Sequence, residues 1–292
     1  MSIRKKLSYR AADELAAYSF VTPAMLGYLI FVLIPMVTIF VISMNEWTML
    51  SAPRFVGLNN YIAIFKDPRF YNSMYVTLLY VLHNLPLQWV LSMILALMLR
   101  NIGRGMKIYR TFILLPWVTM PVAIAIVWRW VLNPLVGVLN YYLSLIGLRS
   151  PDWLGSLAMV TIAGVNIYIF LGFSTLLLFI GMQNIPADYY EAAEVDGVGA
   201  FRKFFKITLP LLKPTILYMT VTGVIGSFQV FEVVYSMTQG GPGTRTNVLY
   251  YSIYLEAFLF LRMGTAASMS VILFFILLIL TLCQMYILRN KD

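Results

Sequence analysis

NIPADYYEAAEVDGVGAFRKFFKITLPLLK, residues 184–213, places four acidic residues (Asp188, Glu191, Glu194, Asp196) ahead of four basic ones (Arg202, Lys203, Lys206, Lys213). Charge-free windows flank it at 153–187 and 214–231, and four more occur at 15–45, 70–99, 111–128 and 263–288. Each holds about 18 or more apolar-rich residues, enough to cross a hydrocarbon core. A segment in lipid must close its own backbone hydrogen bonds, so all six read as helices.

Composition agrees. Of 292 residues 61% are apolar and 11% charged, with a mean hydropathy of +0.82; a soluble chain has about 45–50% and about 25%. The net charge of +9 comes from 21 Lys+Arg against 12 Asp+Glu. The basic residues flank apolar runs, so they read as topology signals and not as a nucleic-acid footprint. One Cys (Cys283) and one His (His83) exclude a disulfide framework and a multi-Cys/His metal site.

Lys and Arg concentrate in cytoplasmic loops. Six spans with both termini inside put Arg4, Lys5, Lys6, Arg10, Arg100, Arg104, Lys107, Arg110, Arg202, Lys203, Lys206, Lys213, Arg289 and Lys291 on the inner side, 14 of 21. A seventh candidate, 130–148, is interrupted by Asn133-Pro134, Gly137 and Asn140; counting it as a span leaves 11 basic residues inside against 10 outside. It therefore reads as an external interfacial hairpin, with Trp128, Trp130, Tyr141, Tyr142 and Trp153 as belt aromatics. The basic N-terminal flank leads into an apolar run too long for a cleaved leader, which reads as a retained first helix. With no linker in view, the expectation is one all-α polytopic membrane domain over 1–292, spans near 18–44, 73–99, 111–131, 156–181, 214–236 and 264–288.

The opening segment is more than a connector. Pro186 suits a helix start, the acidic residues occupy its first turns, Gly197 and Gly199 interrupt, and a second piece carries the basic residues, as the helix dipoles favour. Tyr190, Ala193 and Gly197 share one helical face; Phe201, Phe204 and Phe205 share another. An amphipathic connector lying in the head groups is the plainer alternative. Against it, Ala192-Ala193 and two glycines anchor poorly in lipid and pack closely against protein.

Glu191-Ala192-Ala193, Asp196-Gly197 and Ile207-x-Leu209-Pro210, with Gly197 six after Glu191 and Ile207 ten after Gly197, resemble the EAA motif of ABC importer permeases, E-A-A-x(3)-G-x(9)-I-x-L-P. Phe55–Tyr61 with Asp67-Pro68-Arg69-Phe70, Leu115-Pro116 through Trp128-x-Trp130, Phe231–Pro242 and Ala266–Ser270 resemble further stretches of the carbohydrate-uptake, maltose-permease-F-like branch. Glu232 stands where that family often has Asp.

The resemblance implies a type I importer permease fold of six transmembrane helices in a bacterial or archaeal plasma membrane, with a cytoplasmic coupling helix at about 188–197. It implies a second homologous permease, a dimer of ABC ATPase subunits and an extracellular solute-binding protein as partners, besides the bilayer. ATP and Mg would sit in the partner ATPase, and this chain lacks the G-x(4)-G-K-[ST] phosphate loop and needs no cofactor of its own. Glu191, Ala192, Ala193, Asp196, Gly197, Leu209 and Pro210 would couple to that ATPase, Gly197 turning the backbone where a Cβ would clash. Small-residue faces at Gly223-x-x-Gly226-Ser227 and Gly264-x-Ala266-Ala267-Ser268 suit packing against the sister permease.

A neutral sugar needs hydroxyl and amide partners, an aromatic face and no strong charge. Asn166 and Tyr168 in the fourth span and Ser227, Phe228, Gln229, Phe231 and Glu232 in or beside the fifth are the candidate path. By resemblance those two spans line the sugar site, Asn166 standing 25 residues before Glu191. His83, Asn84, Pro86 and Gln88 read instead as a kinked packing site in the second span. A phosphate ester would want fixed cations along the path, and Arg129 and Arg245 are peripheral, which favours a neutral sugar or oligosaccharide; glycerol phosphate or a polyol is the alternative. An ion-coupled secondary transporter would need intramembrane carboxylates, and only Glu232 qualifies, at a helix end. An intramembrane enzyme would need a motif such as H-E-x-x-H or G-x-S-x-G, which the chain lacks.

Overall fold

A computed structural model describes residues 9–100 and 105–289, so the topology signals Arg4, Lys5, Lys6, Arg104 and Lys291 lie outside the described residues. Apart from one short hairpin, the described chain is helical. In order it runs α1 (Tyr9–Tyr28), a π-helical turn (Leu29–Leu33), α2 (Ile34–Ser43), β1 (Asn45–Glu46), β2 (Arg54–Phe55), α3 (Asn59–Ile64), α4 (Pro68–Arg100), α5 (Met106–Val118) and α6 (Pro121–Val131). It continues with α7 (Val138–Leu145), α8 (Ala158–Gln183), α9 (Asp188–Val195), α10 (Ala200–Lys203), a second π-helical turn (Phe204–Thr208) and α11 (Leu209–Leu211). The last elements are α12 (Lys213–Phe228), α13 (Glu232–Met237), α14 (Leu249–Tyr254), a third π-helical turn (Leu255–Leu259) and α15 (Met263–Arg289).

Among the described residues, five helical stretches are long and apolar enough to cross a membrane: Asp13–Ser43, Pro68–Arg100, Ala158–Gln183, Lys213–Met237 and Met263–Ile287. The pair Ile108–Val118 and Pro121–Val131 makes a sixth if it counts as one span, but it is bent by 92°. The third window is therefore not the straight helix over 111–131 that its hydropathy suggests. Thr119 and Met120 are extended, with ψ of 147° and 122°. The ring of Pro121 disfavours α geometry in the residue before it and opens the next helix at its first position.

The expectation of one domain meets a division into two compact units, one within Met1–Ile64 and Glu256–Ile272, the other within Phe65–Leu255 and Leu273–Asp292. In the first, the end of α2 is the knot. The Ser43 carbonyl accepts from Asn60 Nδ2 and from Ser268 Oγ, both at 2.9 Å, and Asn60 Nδ2 also reaches the Asn45 carbonyl. A Cβ at Gly264 would lie 2.0 Å from the Asn45 oxygen, so the first turn of α15 packs directly on backbone. Ala266, Ala267 and Ser268 are buried as well. This small-residue face, expected to meet a sister permease, is taken up inside the chain.

The second unit is built on α4 and α8, which pack along their lengths. One apolar core gathers Val76, Tyr80, Ile124, Ile162, Ile169 and Val234, and another gathers Ala96, Leu99, Leu178, Phe179, Leu212 and Met219. Asn84 and Gln88 of α4, Ser174 of α8 and Ser227 of α12 fall between these cores along their helices. In the interrupted stretch after α6, Asn133 Oδ1 accepts from the amides of Leu135 and Val136, Asn140 Nδ2 donates to the Asn133 carbonyl, and Trp153 Nε1 donates to Asn140 Oδ1. The residues that break a span thus close a folded loop.

Helix α5 reaches α8 through glycine: a Cβ on Gly172 would stand 1.9 Å from the Ile113 carbonyl oxygen, whereas one on Gly164 meets nothing within 4 Å. Gly172→Ala is therefore expected to destabilise by about 1–3 kcal/mol through overpacking. Gly164→Ala, in the same helix, is expected to stabilise by up to about 1 kcal/mol through helix propensity. Thermal unfolding of the two purified variants against wild type checks both signs.

Candidate functional site

Two places hold the singled-out residues. The first is at the end where α4 and α8 finish and α12 begins. Asp188 and Glu191 lie in the first turn of α9, where the helix dipole favours negative charge. The helix stops in a Schellman motif: the Val198 amide bonds the Ala193 carbonyl at 2.8 Å and the Gly197 amide bonds that of Glu194 at 3.0 Å. Gly197 has φ of +68°, and a Cβ there would meet nothing within 4 Å. The expected clash is absent; the constraint at Gly197 is its left-handed backbone alone.

Three contacts fix α9 to its surroundings. Lys203 Nζ donates to Glu194 Oε1 at 2.8 Å, and this bond and charge hold the Glu194 carboxyl below the usual carboxylate range. The Arg100 guanidinium, at the end of α4, lies 4.1 Å from the centre of the Tyr190 ring. The Tyr190 hydroxyl is 2.9 Å from Thr208 Oγ1. Tyr190 and Ala193 accordingly face inward, while Glu191, Ala192 and Asp196 are exposed. Ala192, Ala193 and Asp196 line one side of a cleft of about 440 Å³, and Arg202 and Lys206 line the other. Leu209 lines an apolar cavity between α4 and α12, and Pro210 is exposed in the first turn of α11.

The second place is a cavity of about 180 Å³ between α4, α5, α8 and α12. Asn166 and Ser227 line it, as the sequence suggested; the remaining path candidates do not. Tyr168 is 46% exposed and packs edge-on against Trp128. Phe228 is buried elsewhere, Gln229 caps the end of α12, Phe231 stacks on Tyr235, and Glu232 is exposed in the first turn of α13. Their places are taken by Asn84, Gln88 and Trp89 of α4, Trp117 of α5, and Phe173 and Ser174 of α8. The Trp117 and Phe173 rings are stacked with centres 4.7 Å apart. Among the described residues no charged side chain lines the cavity.

Its polar groups bond one another. Asn84 Nδ2 donates to Ser227 Oγ at 3.1 Å, Asn166 Nδ2 donates to Asn84 Oδ1 at 3.3 Å, and Gln88 Nε2 donates to Ser174 Oγ at 2.8 Å. Asn84 and Gln88 therefore belong to the cavity as well as to packing, while His83 turns away to the Leu79 carbonyl. Their spacing of four on one helix face was the available signal.

Comparison with known proteins bears on both places. The chain is 32% identical over 296 residues to the trehalose/maltose transport system permease protein MalF of Thermococcus litoralis, covering 99% of this chain and 98% of that one. It is 32% identical over 243 residues to the sn-glycerol-3-phosphate transport system permease protein UgpA of Escherichia coli O157:H7, covering 82% and 81%. The fold matches a chain of a bacterial alginate ABC transporter solved in complex with an alginate pentasaccharide-bound periplasmic protein, with a TM-score of 0.85, 23% identity and 98% of each chain covered. Residues 56–291 match the model of the binding-protein-dependent transport system inner membrane component. That match spans both the α9 segment and the cavity, and the chain belongs to this family of inner-membrane transport components.

Proposed function

We propose that this chain is the permease subunit of an ATP-driven importer that carries a neutral sugar or oligosaccharide delivered by an extracellular binding protein. The observation that supports it most is the cavity: amides and hydroxyls beside a stacked aromatic pair, with no charged side chain. Sugars offer hydroxyls to the first and C–H faces to the second, and a charge buried there would cost more than it returns. A glycerol phosphate, as the relative UgpA's name describes, would call for fixed cations along the path, and none lines this cavity.

In this reading the chain hydrolyses no ATP. A partner ATPase dimer closes on ATP and grips the exposed face of α9, with Glu191 and Asp196 offering carboxylates for charge-assisted bonds. Because α9 is tied to α4 through Arg100 and, through Thr208, to the π-helical turn that leads by α11 into α12, its displacement moves those elements as one body. A second homologous permease completes the pathway. Both termini and α9 lie in the cytoplasm, in keeping with the 14 of 21 basic residues on that side.

The path is tested by Asn166→Ala and Ser227→Ala in the assembled importer. Each is expected to lower uptake about fivefold, the worth of one hydrogen bond to substrate, with the ATPase still bound. Dissociation of the complex by either variant would mark it as a packing residue. Coupling is tested by Gly197→Val, which forces a β-branched residue to φ of +68° at a cost of about 1–3 kcal/mol. The expected result is normal insertion with no stimulation of ATP hydrolysis by the loaded binding protein; wild-type stimulation would return this segment to the role of connector.

A further inference from the structure

Asn84 lies midway along α4, 1% exposed, with its carboxamide between two other helices. Its two bonds decide which half of each partner remains for a ligand. Ser227 Oγ accepts from Asn84, so the Ser227 O–H is left to donate. Asn166 spends one N–H on Asn84, so its Oδ1 is left to accept. One turn along α4, Gln88 donates to Ser174, leaving Gln88 Oε1 as an acceptor beside the Ser174 O–H as a donor. Among the described residues these four leftover groups have no other hydrogen-bond partner, each amide also keeps its second N–H as a donor, and all four side chains line the cavity.

Each level of the cavity is thus lined by one side chain with a leftover amide oxygen and one with a leftover hydroxyl proton. A sugar hydroxyl is donor and acceptor at once, and satisfies the pair by donating to the amide and accepting from the serine. The oxygens of an ionised phosphate or sulfonate accept only, so they can take the leftover O–H and N–H donors but have no proton to give the two amide oxygens. Selection between the two ligand classes then follows from the direction of the hydrogen bonds, in addition to the absence of charge.

We propose that Asn84 is a positioning residue that sets substrate class: by donating to Ser227 and accepting from Asn166 it presents a carbonyl acceptor beside a hydroxyl donor, which selects a neutral polyhydroxylated ligand over an anionic ester. This rests on the cavity being the sugar path. A residue serving only to hold α4, α8 and α12 together would make the same bonds, since interhelical amides stabilise membrane bundles. The two roles differ in what they do to ligand preference.

The test uses the complete purified importer without ATP, titrated with maltose, trehalose and sn-glycerol 3-phosphate while the fluorescence of tryptophan is followed, Trp89 and Trp117 lining the cavity. Asn84→Leu keeps the side-chain size and removes both bonds, and Asn84→Ala provides a second variant should the first not assemble. The expected result is a roughly tenfold loss of preference for the neutral disaccharides over glycerol phosphate, from two hydrogen bonds left undirected. Ser227→Ala is expected to weaken maltose binding about fivefold in the wild-type background and less than about twofold in the Asn84→Leu background. An unchanged preference, with additive effects of the two substitutions, would overturn the proposal and leave Asn84 as a packing residue. Weakening by Asn166→Ala with none by Asn84→Leu or Asn84→Ala would overturn it while the cavity reading stands. A wild-type complex whose fluorescence responds to none of the three ligands would overturn the cavity reading, and this proposal with it.

Discussion

A carboxamide inside a hydrocarbon layer has to find a partner, and the second unit of this protein is arranged around that constraint. Asn84, Asn166 and Ser227 come from three spans whose windows hold no charge, and they satisfy one another. Bonds of this kind contribute about 0.6–2 kcal/mol each in membrane bundles, less than the packing around them. Their effect is on register: a helix rotated by one residue would leave a buried amide unpaired. The apolar cores on either side of the polar groups then close around a fixed alignment. Space remains within it because Gly226 has no side chain to fill it and no atom stands where its Cβ would be.

At the end of the bundle where α9 lies, the requirement is stiffness. Under the proposed function α9 relays force between subunits and must not fray; it is closed by a Schellman turn, bound to α10 through Glu194 and Lys203, and bound to its surroundings through Tyr190. Its exposed face, Glu191, Ala192 and Asp196, is left for another surface. The same segment leads through the π-helical turn at Phe204–Thr208 into the apolar cavity that Phe204 and Leu209 share with Trp89 and Met219, two residues that also line the uncharged cavity. The α9 segment and the uncharged cavity are therefore neighbours through packed side chains.

The α9 segment was legible in the sequence because its determinants are local: Pro186 at the start, acid in the first turn, Gly197 at the stop. The spans were legible from charge-free windows, with one exception. Hydropathy counts Pro121 as an ordinary residue, and the 92° bend follows from the conformational limits it places on Met120. The cavity was half legible. Asn166 and Ser227 stood out as costly polar groups, but Asn84 bonds partners 82 and 143 positions away, a pairing made by helix packing and invisible to spacing along the chain. Gln229, Phe231 and Glu232 lie outside this cavity for a related reason, since α12 ends at Phe228 and the chain turns before α13.

The central claim is that the uncharged cavity between α4, α8 and α12 is where substrate sits. Its most direct test is protection of Ser227→Cys from a small thiol reagent, in a background carrying Cys283→Ser to remove the exposed native thiol. The account predicts that the cysteine reacts in the resting importer and that saturating neutral sugar slows the reaction at least about tenfold while an anionic ester does not. Labelling at the same rate with and without a sugar that the importer demonstrably transports would contradict it.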